Sequence, residues 1–267
     1  MKLPEPPPAR IVMSSDGLKL ATYEWGDEDA PVVLVVHGFA SSAILNFFRT
    51  GWTRDLTRAG FRVIGLDQRG HGASDKPHDP AFYSLERLVN DVMDVLDTYL
   101  IDDARYVGYS LGARVGWQVA LEAPDRITKA VLGGIPDGQP LTRFRTDHAL
   151  DYLATGEPVT DQITAAYLSM ASAMPNNDLA ALVALVQGMR GGREPSPDTP
   201  PHLPMLFATG TEDAIIERSR RLADAAPRGR FYPIPGRHHF NAPTSHHFRD
   251  VAIAYLTEGS SDRVEPG

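Results

Sequence analysis

The sequence contains no cysteine, which excludes disulfides, thiolate metal ligands and a cysteine nucleophile. It lacks any apolar run of the roughly 18 residues a membrane helix needs. Its first residues, Met1-Lys2-Leu3-Pro4-Glu5-Pro6-Pro7-Pro8, are Pro-rich and polar where a secretory signal would carry an apolar core. From these absences we expect a cytoplasmic, unanchored protein. Positive charge is scarce as well: 26 Lys and Arg against 34 Asp and Glu give a formal net charge of −8. That balance disfavours nucleic acid and anionic membranes as partners. A small-molecule substrate is the expected partner, and the protein itself is expected to be a monomer or a small homo-oligomer. No His-x-x-x-His or His-Glu-x-x-His pattern occurs, and Gly70-His71-Gly72 lacks the third glycine of a dinucleotide fingerprint. Neither a metal nor a cofactor is expected.

What is present is enough for a core, since 42% of the 267 residues are hydrophobic and a chain of this length buries roughly 70 to 75% of its unfolded surface. The β-branched run Val32-Val33-Leu34-Val35-Val36 has the length and composition of a strand buried on both faces. Comparable runs lie at 61–66, 105–109, 130–133, 205–209 and 231–234. Helical periods separate them, most clearly Leu85, Leu88, Val89, Val92 and Leu96 behind Ser84 as an N-cap. Alternation of this kind implies an α/β fold with a doubly wound, mostly parallel sheet. A hairpin around Asp16-Gly17 brings the expected strands to eight. The alternation breaks over 136–201, where Leu179, Leu182, Val183, Val186 and Met189 and, separately, Ala165, Leu168 and Ala171 mark helix faces without strands. We therefore expect a core formed by 1–135 and 202–258, a helical lid insertion at 136–201, and a polar tail at 259–267.

Chemistry concentrates at Gly108-Tyr109-Ser110-Leu111-Gly112, between an expected strand and an expected helix 111–122. The pattern Gly-x-Ser-x-Gly in that setting is a nucleophile elbow, which exposes the serine hydroxyl at the carboxyl edge of a sheet. The alternative role for Ser110 is to cap the helix. After the strand 32–36 comes His37-Gly38-Phe39. There the Phe39 amide is placed to pair with that of Leu111 and bind an oxyanion, with His37 bracing the loop.

These stretches, together with Asp67-Gln68-Arg69-Gly70-His71-Gly72-Ala73-Ser74 lying between them, resemble the α/β-hydrolase superfamily in order and spacing. The resemblance covers about residues 10–257, and it matches the insertion to a cap domain by position only. It implies that an acid and then a histidine follow Ser110 along the chain. Asp213, in the turn after the strand ending Ala208-Thr209-Gly210, is the expected acid, with Glu212 and Asp137 as rivals. Aligning the family's Gly-x-Gly-His pattern on Gly236 gives His239 as the base and puts His238 at the second glycine, which leaves His238 as the competitor. Imidazole near its ordinary pKa of about 6.5 suits a general base.

The resemblance implies hydrolysis of a small carboxylic ester through an acyl-enzyme. Alternatives are a lactonase, a hydrolase of carbon-carbon bonds in β-diketone-like products, and, outside catalysis, a ligand receptor on the same fold. A serine at the elbow argues against members that attack with a carboxylate. Phe39, Tyr109 and Ile215 are expected to line the acyl pocket. Arg114, four residues past the serine, faces either a substrate carboxylate or a salt bridge to the insertion.

Overall fold

The computed structural model describes residues 5–138 and 141–258. The tail expected at 259–267 lies outside the described residues, as do 1–4 and 139–140. Eight strands form one sheet: β1 (Arg10–Met13), β2 (Lys19–Trp25), β3 (Val32–Val36), β4 (Arg62–Leu66), β5 (Ala104–Tyr109), β6 (Ile127–Gly133), β7 (Met205–Gly210) and β8 (Gly229–Ile234). Their spatial order is β1-β2-β4-β3-β5-β6-β7-β8. Strands β1, β2 and β4 pair antiparallel, and every pairing from β4 to β8 is parallel. Pro233 sits in β8, where the sheet ends and a missing amide costs no ladder bond on the free side.

The sheet is covered on both faces because its strands are apolar on both. Val33 and Val35 of β3 pack with Val63, Val107 and Val131 against Trp52 and Leu56 of α1 (Trp52–Arg58) and Phe248 and Ala252 of α8 (His246–Thr257). Leu34 and Val36 point the other way, toward α2 (Leu85–Thr98) and α3 (Leu111–Glu122). The expected stripe of α2 is buried, and Ser84 caps that helix by accepting from the Arg87 amide. Between β6 and β7 lie α4 (Thr146–Thr155), α5 (Gln162–Ala173) and α6 (Leu179–Gly188), in the stretch expected to interrupt the alternation. A further helix, α7 (Ile216–Ala225), returns the chain to β8. Helix α6 lies close on the core, since a Cβ on Gly188 would stand 2.1 Å from the Tyr83 carbonyl.

This topology fixes where a ligand can go. From β3 the chain moves outward to β4, whereas β5 lies on the other side of β3, so the carboxyl ends of β3 and β5 flank a switch point. In open α/β sheets ligands bind in that crevice. The two loops that flank it hold Phe39 and Ser110. Among the described residues, no helix is long and apolar enough to cross a membrane.

Candidate active site

Ser110 joins β5 to α3 with φ 52° and ψ −109°, a strained conformation for a residue with a side chain. Its hydroxyl makes no capping bond to the helix it precedes. The turn closes only because its flanks lack side chains. A Cβ on Gly108 would stand 2.4 Å from the Gly112 carbonyl oxygen, and one on Gly112 would stand 2.0 Å from that of Val36. The elbow is then tied down. The Ser110 amide donates to Gly133 O (2.8 Å), the Gly112 amide to His37 O (3.1 Å), and the Tyr106 hydroxyl to Gly112 O (2.7 Å).

Three side chains meet across three loops. His239 Nε2 lies 2.9 Å from Ser110 Oγ, and His239 Nδ1 lies 2.8 Å from Asp213 Oδ2. With the Nδ1 proton given to Asp213, Nε2 is left to accept from the serine hydroxyl. Asp213 is buried, and its other oxygen accepts from the Ile215 amide at 3.2 Å. The acid loop and the histidine loop are locked together by the Glu212 amide donating to Arg237 O (2.9 Å). They approach so closely that a Cβ on Gly210 would stand 1.9 Å from that oxygen. Tyr109 ties down the backbone of this residue, with its hydroxyl donating to the His239 carbonyl.

The rivals are placed elsewhere. Asp137 is held by Arg218 (3.0 Å) and Arg221 (2.6 Å), and Glu212 is exposed. His238 is exposed; its amide donates to Asn241 Oδ1 (2.9 Å) and its Nδ1 accepts from the Phe240 amide. His246 and His247 are exposed at the start of α8. Among the described residues, Arg114 Nη1 and Nη2 have no hydrogen-bond partner.

The amides of Phe39 and Leu111 donate to no protein acceptor among the described residues, whereas that of Gly38 is engaged by Asn46 Oδ1 at 3.3 Å. A Cβ on Gly38 would stand 3.3 Å from Ser110 Cβ, so this loop runs directly beside the serine. Its shape is held from beneath by the Asp67-to-Ser74 stretch. His71 Nε2 accepts from the Ala40 amide (3.0 Å), and Asp67 Oδ1 accepts from that of Ala43 (2.7 Å). His37 Nε2 accepts from the Gln68 amide at 3.1 Å while its Nδ1–H donates to Gly38 O. Arg69, fully buried, is satisfied by both oxygens of Asp91, by Asp16 and by Phe82 O.

His37 and His71 act as acceptors, so both must be neutral. Burial pushes their pKa values down to about 4 and about 3. In the unfolded chain they take up protons near pH 6.5. Their contribution to stability is therefore complete above about pH 7 and is lost as pH falls from there toward those depressed values. Each histidine should steepen this loss by about 1.4 kcal/mol per pH unit. Urea unfolding of wild type and His71→Gln between pH 7 and 4.5 checks it. The wild type should show the steeper slope, and equal slopes would exclude a buried neutral His71.

Above the serine lies a cavity of about 690 Å³, a size suited to a small organic ligand. Phe39, Tyr109 and Ile215 are among the residues that line it, and the Tyr109 hydroxyl is already engaged by the His239 carbonyl. The segment between β6 and β7 supplies its roof, with Phe144, Tyr167, Met170 and Met189, of which the sequence marked only Met189, as part of an apolar helix face. Tyr167 sets its ring edge against Phe39, Phe144 and Phe240 at 6.2 to 6.4 Å. Among the described residues, no three His, Asp or Glu side chains are grouped to hold a metal ion.

Residues 31–241 match the family model for the alpha/beta hydrolase fold, and the chain belongs to that family. Over 127 residues it is 31% identical to an AB hydrolase superfamily protein, YfhM, of Bacillus subtilis, a match covering 46% of this chain and 42% of that protein. Over 132 residues it is 32% identical to epoxide hydrolase A of Mycobacterium tuberculosis, covering 48% of this chain and 39% of the relative. The chain thus spans less than half the length of these curated relatives. Among solved structures it resembles the enol-lactonase of Burkholderia xenovorans (TM-score 0.75, 20% identity, 93% of this chain and all of that one). A thermophilic esterase of Thermogutta terrifontis is equally similar (TM-score 0.75, 20% identity, 94% and 98%). At such identities these likenesses concern the fold.

Proposed function

We propose that the protein is a serine hydrolase that cleaves small carboxylic esters through an acyl-enzyme. The observation that carries this reading is the continuous chain Asp213–His239–Ser110, with two 2.8 to 2.9 Å contacts, opening into the cavity beside two uncommitted amides. His239 Nε2 takes the proton as Ser110 Oγ adds to the carbonyl carbon, and Asp213 stabilises the imidazolium that results. The amides of Phe39 and Leu111 receive the oxyanion. His239 then protonates the departing alkoxide, and a water deprotonated by the same nitrogen releases the acid. Each step uses only these side chains, two backbone amides and water.

The epoxide hydrolases among the relatives do not direct the reading to epoxides, because the group at this chain's elbow is a hydroxyl and not a carboxylate. Lactones are the second class to test, being esters that the same steps open. The helices of 136–201 serve in this reading as the lid that shapes the acyl pocket. A panel of p-nitrophenyl esters with acyl chains of two to eight carbons tests it, read on the stopped-flow scale. Short acyl chains should give a burst of p-nitrophenol of about one equivalent per enzyme, followed by slower turnover. Epoxide opening without any ester turnover would overturn the proposal.

A further inference from the structure

We infer that the substrate carries a carboxylate, held by Arg114 in the cavity that contains the serine. This rests on the hydrolase reading above and names the class of ester it takes. Arg114 lies one helical turn beyond Ser110 on α3 and lines the same cavity. It is only 2% exposed, yet both its terminal nitrogens, Nη1 and Nη2, are buried without a hydrogen-bond partner among the described residues. An unpaired buried cation is among the costliest features a fold can keep, and one that persists beside a reactive centre is poised for a ligand.

The other fully buried arginine shows what satisfaction looks like in this chain. Arg69 has two aspartates and a carbonyl about it, at 2.6 to 2.9 Å. Around Arg114 the nearest charges are Glu194, Arg218 and Asp137. Asp137 is already committed to Arg218 and Arg221, and Glu194 is exposed. Burial lowers the Arg114 pKa only to about 10, so the guanidinium stays charged at neutral pH. Its two free terminal nitrogens offer the fork that a carboxylate accepts with both oxygens. A substrate with an ester at Ser110 and a carboxylate at Arg114 is a half-ester of a dicarboxylic acid, or the lactone equivalent.

Mono-p-nitrophenyl glutarate and p-nitrophenyl butyrate form the test pair, since they differ by the terminal carboxylate. The wild type should favour the glutarate half-ester in kcat/KM by at least about tenfold. Arg114→Met should lower that preference by about tenfold or more, to near parity, and Arg114→Lys should restore part of it. Free glutarate, titrated calorimetrically into Ser110→Ala, should bind, and should not bind Ser110→Ala carrying Arg114→Met. The Tm of Arg114→Met should equal or exceed that of wild type, because the substitution removes an unpaired charge, so loss of fold cannot imitate the result. A preference unaltered by Arg114→Met, or glutarate failing to bind Ser110→Ala, would overturn the inference. Glutarate binding that requires Arg114 in a protein hydrolysing neither ester would sustain the carboxylate site and reject the hydrolase reading. Turnover of both esters at equal rates would do the reverse.

Discussion

Ser110→Ala is expected to lower ester turnover at least about a thousandfold while leaving the fold intact. His239→Ala should be equally damaging, and the double variant hardly worse than either alone, because the two groups act in one proton transfer across 2.9 Å. Stability should respond differently. Ser110 occupies φ 52°, where a Cβ is strained, so Ser110→Gly should raise stability by about 1 kcal/mol even as it abolishes activity. Alanine keeps the strain and should unfold at the same urea concentration as wild type. Turnover of p-nitrophenyl butyrate and urea midpoints for both variants give the comparison. Retained activity in Ser110→Ala would remove the serine from the mechanism. A lower midpoint for Ser110→Gly would mean that the elbow is not strained.

Gly112→Ala should have the largest effect on folding. Its new methyl would meet the Val36 carbonyl oxygen at 2.0 Å and its carbon at 2.6 Å, so the first turn of α3 and the end of β3 must separate. Neither neighbour is a flexible side chain that can turn aside. Overpacking against backbone at this depth should cost more than about 4 kcal/mol and lower Tm by roughly 10 °C. Gly60→Ala supplies the contrast. Its φ is +86° but nothing lies within 4 Å of its Cβ, so the cost should be near 1 kcal/mol from backbone strain alone. Thermal unfolding of the two variants separates close approach from conformational freedom as the reason for each glycine. A Gly112→Ala protein as stable as Gly60→Ala would show that β3 and α3 are not held that close.

The strands and the elbow were legible in the sequence because their signals are local. A β-branched run such as 32–36 has few other uses, and glycines two residues either side of a serine report a turn too tight for side chains. Helices α1 and α7 were less legible. The buried side of α7 is only Ser219, Leu222 and Ala223, too narrow a stripe to stand out among its arginines. Choosing among Asp213, Glu212 and Asp137 needs a fact no local pattern holds, namely that the loop after β7 bonds to the loop after β8 through Glu212 and Arg237. The separation of His238 from His239 likewise depends on Tyr109, whose hydroxyl reaches the His239 carbonyl from the end of β5. The cavity roof was hidden for a different reason. An apolar residue such as Met170 or Met189 gives the same helical period whether it faces a core or a cavity. The sequence does carry one sign of a buried ion pair: Asp91 falls on the apolar stripe of α2 between Leu88 and Val92, and a carboxylate there requires a buried cation, which is Arg69.

The proposed hydrolysis requires that His239 and Asp213 activate Ser110. The most direct test is the intact mass of the protein after exposure to a fluorophosphonate probe, which reports an activated serine whatever the substrate. The wild type should gain the mass of one phosphonyl group, mapped by peptide digestion to Ser110, and Ser110→Ala should gain none. A folded wild type that stays unlabelled, or an adduct that persists in Ser110→Ala, would contradict it.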